Sequence, residues 1–491
     1  MKILLVTDKQ GTAIDILANF IRRENKQHEI DVLQFHPKRP DEATVDFLKN
    51  SRQDYDIIHW MYWKSWQKAE ELEVSSSKKS ILSHFNPYDI GERNWIEHDM
   101  NVVCTDAQAE VLAGAPLIRL AVDEQLWKFK PNTHKTIGMC ANRIEGKKGI
   151  LEVAEVAKEL GIKFIVMGRI SKPDYWKEVL ATGADISFYE SVPFESMDDV
   201  YHSMGVYVVN SVDNFETGPM PPLEAMLAGV PVVSREVGTI GEIGEDGKNL
   251  FFFDGKAEMK KSIKEIFDND KVRDKLREEG WRMAKNYNSV RFAREYNKQY
   301  HEVLYPHQPL VSVICPYVQA RHSTYGQTLT SIEAQTYKNV EVLALIDNDN
   351  GYNLAKIRNK MIIDSHGEYL LFLDDRWMLD DPNTIAKFVK QINNRDKVFL
   401  WGDKGRGKRN FVENFSFCKR KSLIHAGMFN ERIDKYGGMS QELRARLRSQ
   451  GWEFKFCEGA KAKEKMSSRG NWRDKQGIMD VKNILYKLGL Q

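Results

Sequence analysis

Between Asn214 and Val233 the chain reads Asn-Phe-Glu216-Thr-Gly218-Pro-Met220-Pro-Pro-Leu-Glu224-Ala-Met-Leu-Ala-Gly-Val-Pro-Val-Val. Glu216 and Glu224 stand eight positions apart, joined by a turn rich in Gly and Pro. Proline is favoured at the start of a helix, where its fixed φ is already helical, so the spacing predicts a helix beginning near Pro222. The first N–H groups of a helix have no partner within it. Placed beside Glu216, they suit hydroxyl-rich or anionic ligands. Glu224 falls one turn inside the same helix. An acidic loop followed by an amphipathic helix can produce this spacing without function, but the tail Ala-Met-x-Ala-Gly-x-Pro-Val-Val adds a second specific element.

Other residues with chemical potential sit at strand ends. His84, in Ser83-His-Phe-Asn-Pro87, closes an apolar run, where open parallel sheets present ligand groups. His59, in Ile58-His-Trp60, has the same ambiguity between ligand and core histidine. Gly11 and Thr12 form a turn between a strand and a helix. Cations gather late in the chain, in Lys404-Gly-Arg-Gly-Lys-Arg409 and Lys461-Ala-Lys-Glu-Lys465, followed by Arg469, Trp472 and Arg473. Such groups grip phosphates or stack on bases when they are not simply solvated.

The elements that must carry these residues are alternating strands and helices. Residues 2 to 7 are an apolar run of strand length, and a helical pattern follows through Ile14, Leu17, Phe20 and Ile21. Further runs at Ile30 to Leu33, Asp56 to Trp60, Lys79 to Ser83 and Asn101 to Thr105 predict a doubly wound parallel sheet. A second series begins at Thr136 to Cys140 and continues at Lys163 to Met167, Asp185 to Phe188, Val206 to Val209 and Val230 to Val233. Residues 256 to 305 read as closing helices. After the break at Pro306-His-Gln-Pro309, strand signals restart at Leu310 to Cys315, Val340 to Ile346 and Tyr369 to Leu373. The expected division is a first lobe over 1–125, a second over 126–305 and a third α/β domain over 309–491.

The 216–233 segment resembles the glutamate-seven-residues-glutamate motif of retaining glycosyltransferases with two Rossmann-like lobes, the GT-B architecture (a family 4-like enzyme). The resemblance implies an acceptor-side first lobe and a donor-binding second lobe. It gives Glu216 the donor sugar hydroxyls and Glu224 the ribose of the nucleotide, with Gly218 and Met220 in the turn between them. Arg143 and Lys148, in Asn142-Arg-Ile-Glu-Gly-Lys-Lys-Gly149, stand where that family neutralises the donor diphosphate, and Lys147 is a substitute. Paired cations stabilise the charge that a leaving nucleoside diphosphate gains. Thr239, in Glu236-Val-Gly-Thr-Ile-Gly-Glu242, matches a glycine loop facing phosphate. Gly11 and Thr12 would approach the donor from the first lobe, and His84 would face the donor sugar. No side chain stands out as a general base, which fits a retaining reaction in which the leaving phosphate oxygen takes the acceptor's proton.

Residues 309 to 460 resemble, in order, the single-domain inverting glycosyltransferases of GT-A type (family 2-like). The matching segments are Pro309 to Pro316, Ser331 to Val342, Arg358-Asn359, Gly367 to Asp375 and Gly427 to Glu431. The working parts depart from the pattern. Arg376 holds the position of the last metal-binding carboxylate, leaving Asp374 and Asp375 as the residual metal candidates. Ser440 holds the position of the aspartate base, with Glu442 or Asp375 as replacements, and a histidine expected near Ala460 to Glu464 is absent. The favoured expectation is a transferase-shaped domain kept for acceptor binding or assembly, with the basic surface from Lys404 onward as its working part.

Composition bounds the rest. The 491 residues are 42% hydrophobic and 29% charged, a globular balance that excludes a disordered chain. The five cysteines lack the paired spacing of a zinc site or disulfide framework, and no apolar run suggests a signal peptide or membrane span. A cytoplasmic location is expected, with peripheral membrane attachment left open. From Lys404 to Gln491 there are 21 Lys and Arg against 9 Asp and Glu, although the whole chain carries only +2. That excess suits a polyanionic acceptor: a cell-wall polymer, a lipid-linked glycan or a modified nucleic acid. The leading expectation is a retaining hexosyltransferase that uses a nucleotide sugar, with a uridine diphosphate sugar such as UDP-glucose as co-substrate and no divalent metal at the two-lobed site. The alternatives are a bifunctional transferase with a second active GT-A site, and a non-catalytic glycan- or nucleic-acid-binding protein built on transferase folds.

Overall fold

The structure, a computed structural model, describes residues 1–85, 98–190, 192–193, 196–212, 216–218, 220–318, 322–346, 354–405, 407–408, 411–433 and 438–464. The chain forms two compact units, Met1–Val303 and Leu304–Gln491.

The first unit holds two parallel sheets. Strands β1 (Lys2–Thr7), β2 (Glu29–Gln34), β3 (Ile57–Trp60), β4 (Ser80–His84) and β5 (Met100–Val103) lie in the order β2-β1-β3-β4-β5, all paired in parallel. The second sheet contains β6 (Thr136–Ile144), β7 (Lys163–Ile170), β8 (Ile186–Tyr189), β9 (Val206–Val209), β10 (Val232–Ser234) and β11 (Phe251–Phe252), ordered β11-β10-β9-β6-β7-β8. It too is parallel throughout. Parallel strands covered by helices are apolar on both faces, which explains why β1, β3 and β9 are almost wholly buried and read as unbroken apolar runs. β11 has only two residues and left no such signal.

The helices show the matching pattern. In Ile150–Leu160, Ile150, Val153, Ala154 and Ala157 are buried at the spacing of one helical face. Left-handed glycines bound it at both ends, Gly149 and Gly161, each with φ of 64°. The three helices Lys256–Asp268, Asp270–Ala284 and Ser289–Leu304 close the unit. The last of them packs on the first lobe: Tyr300 meets His59 Nδ1 at 2.9 Å and Tyr296 meets Ser83 Oγ at 2.7 Å.

The second unit is a mixed sheet of β12 (Val311–Ile314), β13 (Val340–Leu343), β14 (Tyr369–Leu373), β15 (Trp377–Leu379), β16 (Val398–Asp403), β17 (Phe415–Lys419) and β18 (Glu453–Glu464). The order is β13-β12-β14-β17-β16-β18-β15. β12 pairs in parallel with β13 and β14, whereas β17 runs antiparallel to both β14 and β16. Only the first three strands were legible beforehand. β18 alternates charged with apolar residues and has exposed positions along its length, so it presents no continuous apolar run. All five cysteines are free thiols. Among the described residues no helix is long and apolar enough to cross a membrane.

Candidate active site

The two parallel sheets of the first unit turn their C-terminal edges toward each other. Thr217, after β9, donates its hydroxyl to the Phe85 carbonyl at the end of β4 at 2.6 Å. Thr239, after β10, donates its hydroxyl to the Cys104 carbonyl after β5 at 3.2 Å. Glu242 pairs with Arg119 and accepts the Asp106 N–H at 2.8 Å. Loops at this edge are where open α/β sheets present functional groups.

Within the second lobe, strand order brings distant residues together. β6 lies beside β9, so the loops leaving them emerge as neighbours. Val212 donates to the Lys147 carbonyl at 2.9 Å, and Asn210 Nδ2 donates to the Gly149 carbonyl at 2.9 Å. This stitching puts the Lys148 ammonium in an ion pair with Glu216 Oε1, which also accepts from Ser211 Oγ at 2.7 Å. Both members of the pair are about 15% exposed, 16% for Lys148 and 14% for Glu216, enough shielding to strengthen the pair while leaving it reachable. Gly149 is required here for two reasons. Its φ is +64°, and a Cβ would overlap Asn210.

Glu224 lies on the helix Pro221–Leu227 and is buried. Its Oε2 accepts the Tyr201 hydroxyl at 2.7 Å. Burial pushes the carboxyl up to about 7, against the opposing pull of the tyrosine hydrogen bond. Burial likewise raises the Cys140 thiol to about 12. Tyr207 ties this corner to β6 by accepting the Cys140 N–H at 3.1 Å.

Arg143 is exposed near the C-terminal end of strand β6 and enters no ion pair among the described residues. Lys148 ends the short helical turn Gly146–Lys148 that follows, so one free and one paired cation stand on either side of the strand's exit. The remaining sequence candidates are placed differently from expectation. Thr239 is buried; its hydroxyl is committed to Cys104 and its N–H to the Thr217 carbonyl at 2.6 Å, so it joins the lobes instead of facing a phosphate. The Gly11 N–H donates to Asp15 Oδ2 at 3.0 Å, and Thr12 Oγ1 accepts from the Asp15 N–H at 3.3 Å, which makes this turn a helix cap. Gly218 is small because a Cβ there would meet Leu120 within 2.6 Å, and Met220 belongs to the apolar core. His84 is fully buried, its Nε2 3.0 Å from Asn101 Oδ1, and burial lowers its basicity. His59 is a core histidine with both ring nitrogens engaged, lowered to about 3 by burial. Asn214, Phe215 and Pro219 lie outside the described residues.

Sequence reasoning missed Ser211, Tyr201 and Arg119. Ser211 sits five residues before Glu216 and was within reach of a motif reading. Tyr201 and Arg119 lie in ordinary amphipathic or loop context and carry no local signal.

In the second unit Arg358 is fully buried and bridges Asp374 Oδ1 at 2.8 Å and Glu413 Oε1 at 3.2 Å. Ser440, in place of a base, donates to the other Glu413 oxygen. Asp375 is buried and accepts the Val318 N–H at 2.9 Å. Glu442 is fully buried and accepts from Arg446 Nε at 2.7 Å. The residues present do not suit a divalent cation: a guanidinium already occupies Asp374, Arg376 faces Glu464 at 3.6 Å, and no cluster of metal-ligating side chains occurs among the described residues. A pocket of about 720 Å³ opens in this unit, lined by Asn359, Asn430, Glu431, Glu442 and Arg446 among others. The basic surface expected from Lys404 onward needs correction at that residue. Lys404 donates to Asn414 Oδ1 at 2.6 Å and sits 4.8 Å from the centre of the Trp377 ring, and burial lowers its basicity, so it packs the fold. Lys463 is paired with Asp380. Arg406, Arg409, Lys465, Arg469, Trp472 and Arg473 lie outside the described residues.

Comparison with known proteins bears on this geometry. Residues 122–283 match the family described as glycosyl transferases group 1. No curated protein matches the chain. Among solved structures, Anabaena HepE in complex with UDP and glucose is similar with a TM-score of 0.51 at 16% identity, covering 61% of this chain and 99% of that one. Sucrose-phosphate synthase from Thermosynechococcus elongatus has a TM-score of 0.51 at 14% identity, covering 62% of this chain and 99% of that one. A glycosyltransferase from Rickettsia africae reaches 0.51 at 13% identity, with the same coverages of 62% and 99%. At such identities the likeness establishes the fold, the two-lobed GT-B architecture. With the family match over residues 122–283, the chain carries a group 1 glycosyltransferase domain and is a glycosyltransferase.

Proposed function

We propose that the first unit transfers a sugar from a nucleoside diphosphate donor, most simply a uridine diphosphate hexose, to an acceptor hydroxyl with retention of configuration. The observation that carries this reading is the Lys148–Glu216 pair, steadied by Ser211 at the meeting edge of the two sheets. Donor binding divides the pair: the ammonium turns to the diphosphate with Arg143, and the carboxylate receives sugar hydroxyls. Glu224 accepts from the hydroxyls of the nucleotide. The bond between the anomeric carbon and the diphosphate oxygen breaks, and the acceptor oxygen bonds to the same face of that carbon. The acceptor's proton passes to the departing phosphate oxygen, so no protein base is required. Lys148 and Arg143 offset the charge that develops on the diphosphate, the effect that orders such sites most strongly.

The second unit, in this reading, holds acceptor and does not run a second reaction. The engagement of Asp374 by Arg358 and the burial of Asp375 and Glu442 support that assignment. Its pocket, where two amides stand beside two carboxylates and two guanidiniums, is balanced in charge and suits an acceptor rich in hydroxyls more than a bare polyanion. The relatives' complexes with UDP and UDP-glucose support the choice of donor.

The test is release of UDP from UDP-glucose by the purified full chain, with EDTA present. Wild type is expected to turn over, while Glu216→Ala and Lys148→Ala lose activity and keep the wild-type circular dichroism. Undiminished turnover in either variant, or activity abolished by EDTA, refutes the assignment.

A further inference from the structure

The sequence motif leaves unexplained how a carboxylate can work while buried. Glu224 is only 5% exposed, and burial favours the neutral acid. A neutral carboxylic acid must spend one oxygen as a donor, whereas the carboxylate accepts on both. The groups facing Glu224 are few: Tyr201 from the helix Met197–His202, Cys140 from β6 and Tyr207 from β9. Lys148, which faces Cys140, is spent on Glu216. The Tyr201 hydroxyl is therefore the donor that favours the charged form.

That hydroxyl is held in place. The Tyr201 ring is fully buried, packs edge-on against Trp127 with centroids 5.2 Å apart and lies 5.9 Å from the Tyr207 ring. Tyr207 is itself fastened to the Cys140 backbone, accepting at 3.1 Å and donating at 3.3 Å. The donor direction is thus set by three packed rings before any ligand arrives.

We propose that Tyr201 is a positioning residue of the donor site, whose hydroxyl keeps the Glu224 carboxylate aimed and charged for the hydroxyls of the nucleotide sugar. This rests on the reading of Glu224 as a donor-binding group. It makes donor affinity dependent on pH, with Tyr201 setting where on the pH scale the affinity falls.

The experiment is calorimetric titration of the full chain with UDP-glucose across the neutral pH range, for wild type, Tyr201→Phe and Glu224→Gln, alongside KM and kcat for UDP release. Wild-type affinity should decline as pH falls through about 7. Tyr201→Phe should move that decline about one pH unit upward, raise KM about tenfold and leave kcat at saturating donor near wild type. Glu224→Gln should bind weakly at every pH. A Tyr201→Phe protein that keeps the wild-type midpoint and KM, while Glu224→Gln loses affinity, overturns the role of Tyr201 alone. So does a lowered thermal midpoint without a shifted pH midpoint, which marks mere packing. Wild-type affinity in Glu224→Gln overturns the donor-site reading beneath it.

Discussion

Replacing Glu224 by glutamine should stabilise the protein in alkaline solution while destroying its use of donor. The carboxyl is raised from 4.5 to about 7 by burial. Each pKa unit corresponds to about 1.4 kcal/mol, so holding the ionised group in this site costs the fold about 3 kcal/mol. Because the folded value lies above the unfolded one, the folded chain binds the extra proton between the two. The stability contributed by the neutral acid is present below 4.5 and is lost as pH rises through about 7. Between about pH 5.5 and about pH 8.5 this amounts to about 2 kcal/mol of wild-type stability that glutamine, which does not titrate, should not lose. Glutamine still offers a carbonyl to the Tyr201 hydroxyl, so packing is conserved. The assay is urea unfolding of both proteins at the two pH values, read by tryptophan fluorescence. Trp127, against the Tyr201 ring, is a local reporter. The difference of differences cancels every other titrating group. If the two proteins differ by the same amount at both pH values, Glu224 is ionised throughout and the reasoning is refuted.

Gly149→Ala should be far more damaging than Gly161→Ala, although both glycines have φ of +64°. Left-handed backbone alone costs about 1 kcal/mol, the whole effect expected at Gly161, which has open space around it. At Gly149 the collision with Asn210 adds about 1–3 kcal/mol, and the shift of the neighbouring Lys148 should depress UDP release beyond what thermal midpoints account for. Equal midpoints for the two variants contradict this. Arg358→Met should destabilise the second unit by about 3–5 kcal/mol, since Asp374 and Glu413 lose the guanidinium that bridges them and keep only the Lys404 ammonium nearby. Adding Asp374→Asn and Glu413→Gln should recover most of the loss in denaturant titrations; failure to recover shows that Arg358 acts by packing instead.

The burial of Glu224 also separates this site from a surface motif. A carboxylate kept at the expense of stability is characteristic of functional positions, where stability and activity trade against each other. The Lys148–Glu216 pair has the opposite sign, since each charge satisfies the other. In the proposed reading the donor competes with this pair for both partners, which lowers donor affinity.

What could be read from the chain alone was whatever is local or periodic. The strands of both parallel sheets except β11 showed as apolar runs, the central ones because helices cover them on both sides, and the helix carrying Glu224 showed through its prolines and its eight-residue interval from Glu216. Strand β18 was not legible because it interleaves charge with apolar residues, and β15 is too short at three residues to stand out, whereas β16 and β17 are buried apolar runs that the sequence reading passed over. Thr239 was legible as part of a turn but not in its use, because Cys104, which claims its hydroxyl, lies 135 positions away, whereas the cap that Gly11 and Thr12 form with Asp15 is local and was within reach of the sequence. Lys148 and Glu216 are 68 positions apart, and it is the placing of β6 next to β9 that makes their loops neighbours. Residue types and short spacings are written along one dimension. Strand order, burial and the hydroxyl that reaches Glu224 arise from packing in three, where the same glutamate can be a solvated acid or a buried one whose charge hangs on a single tyrosine.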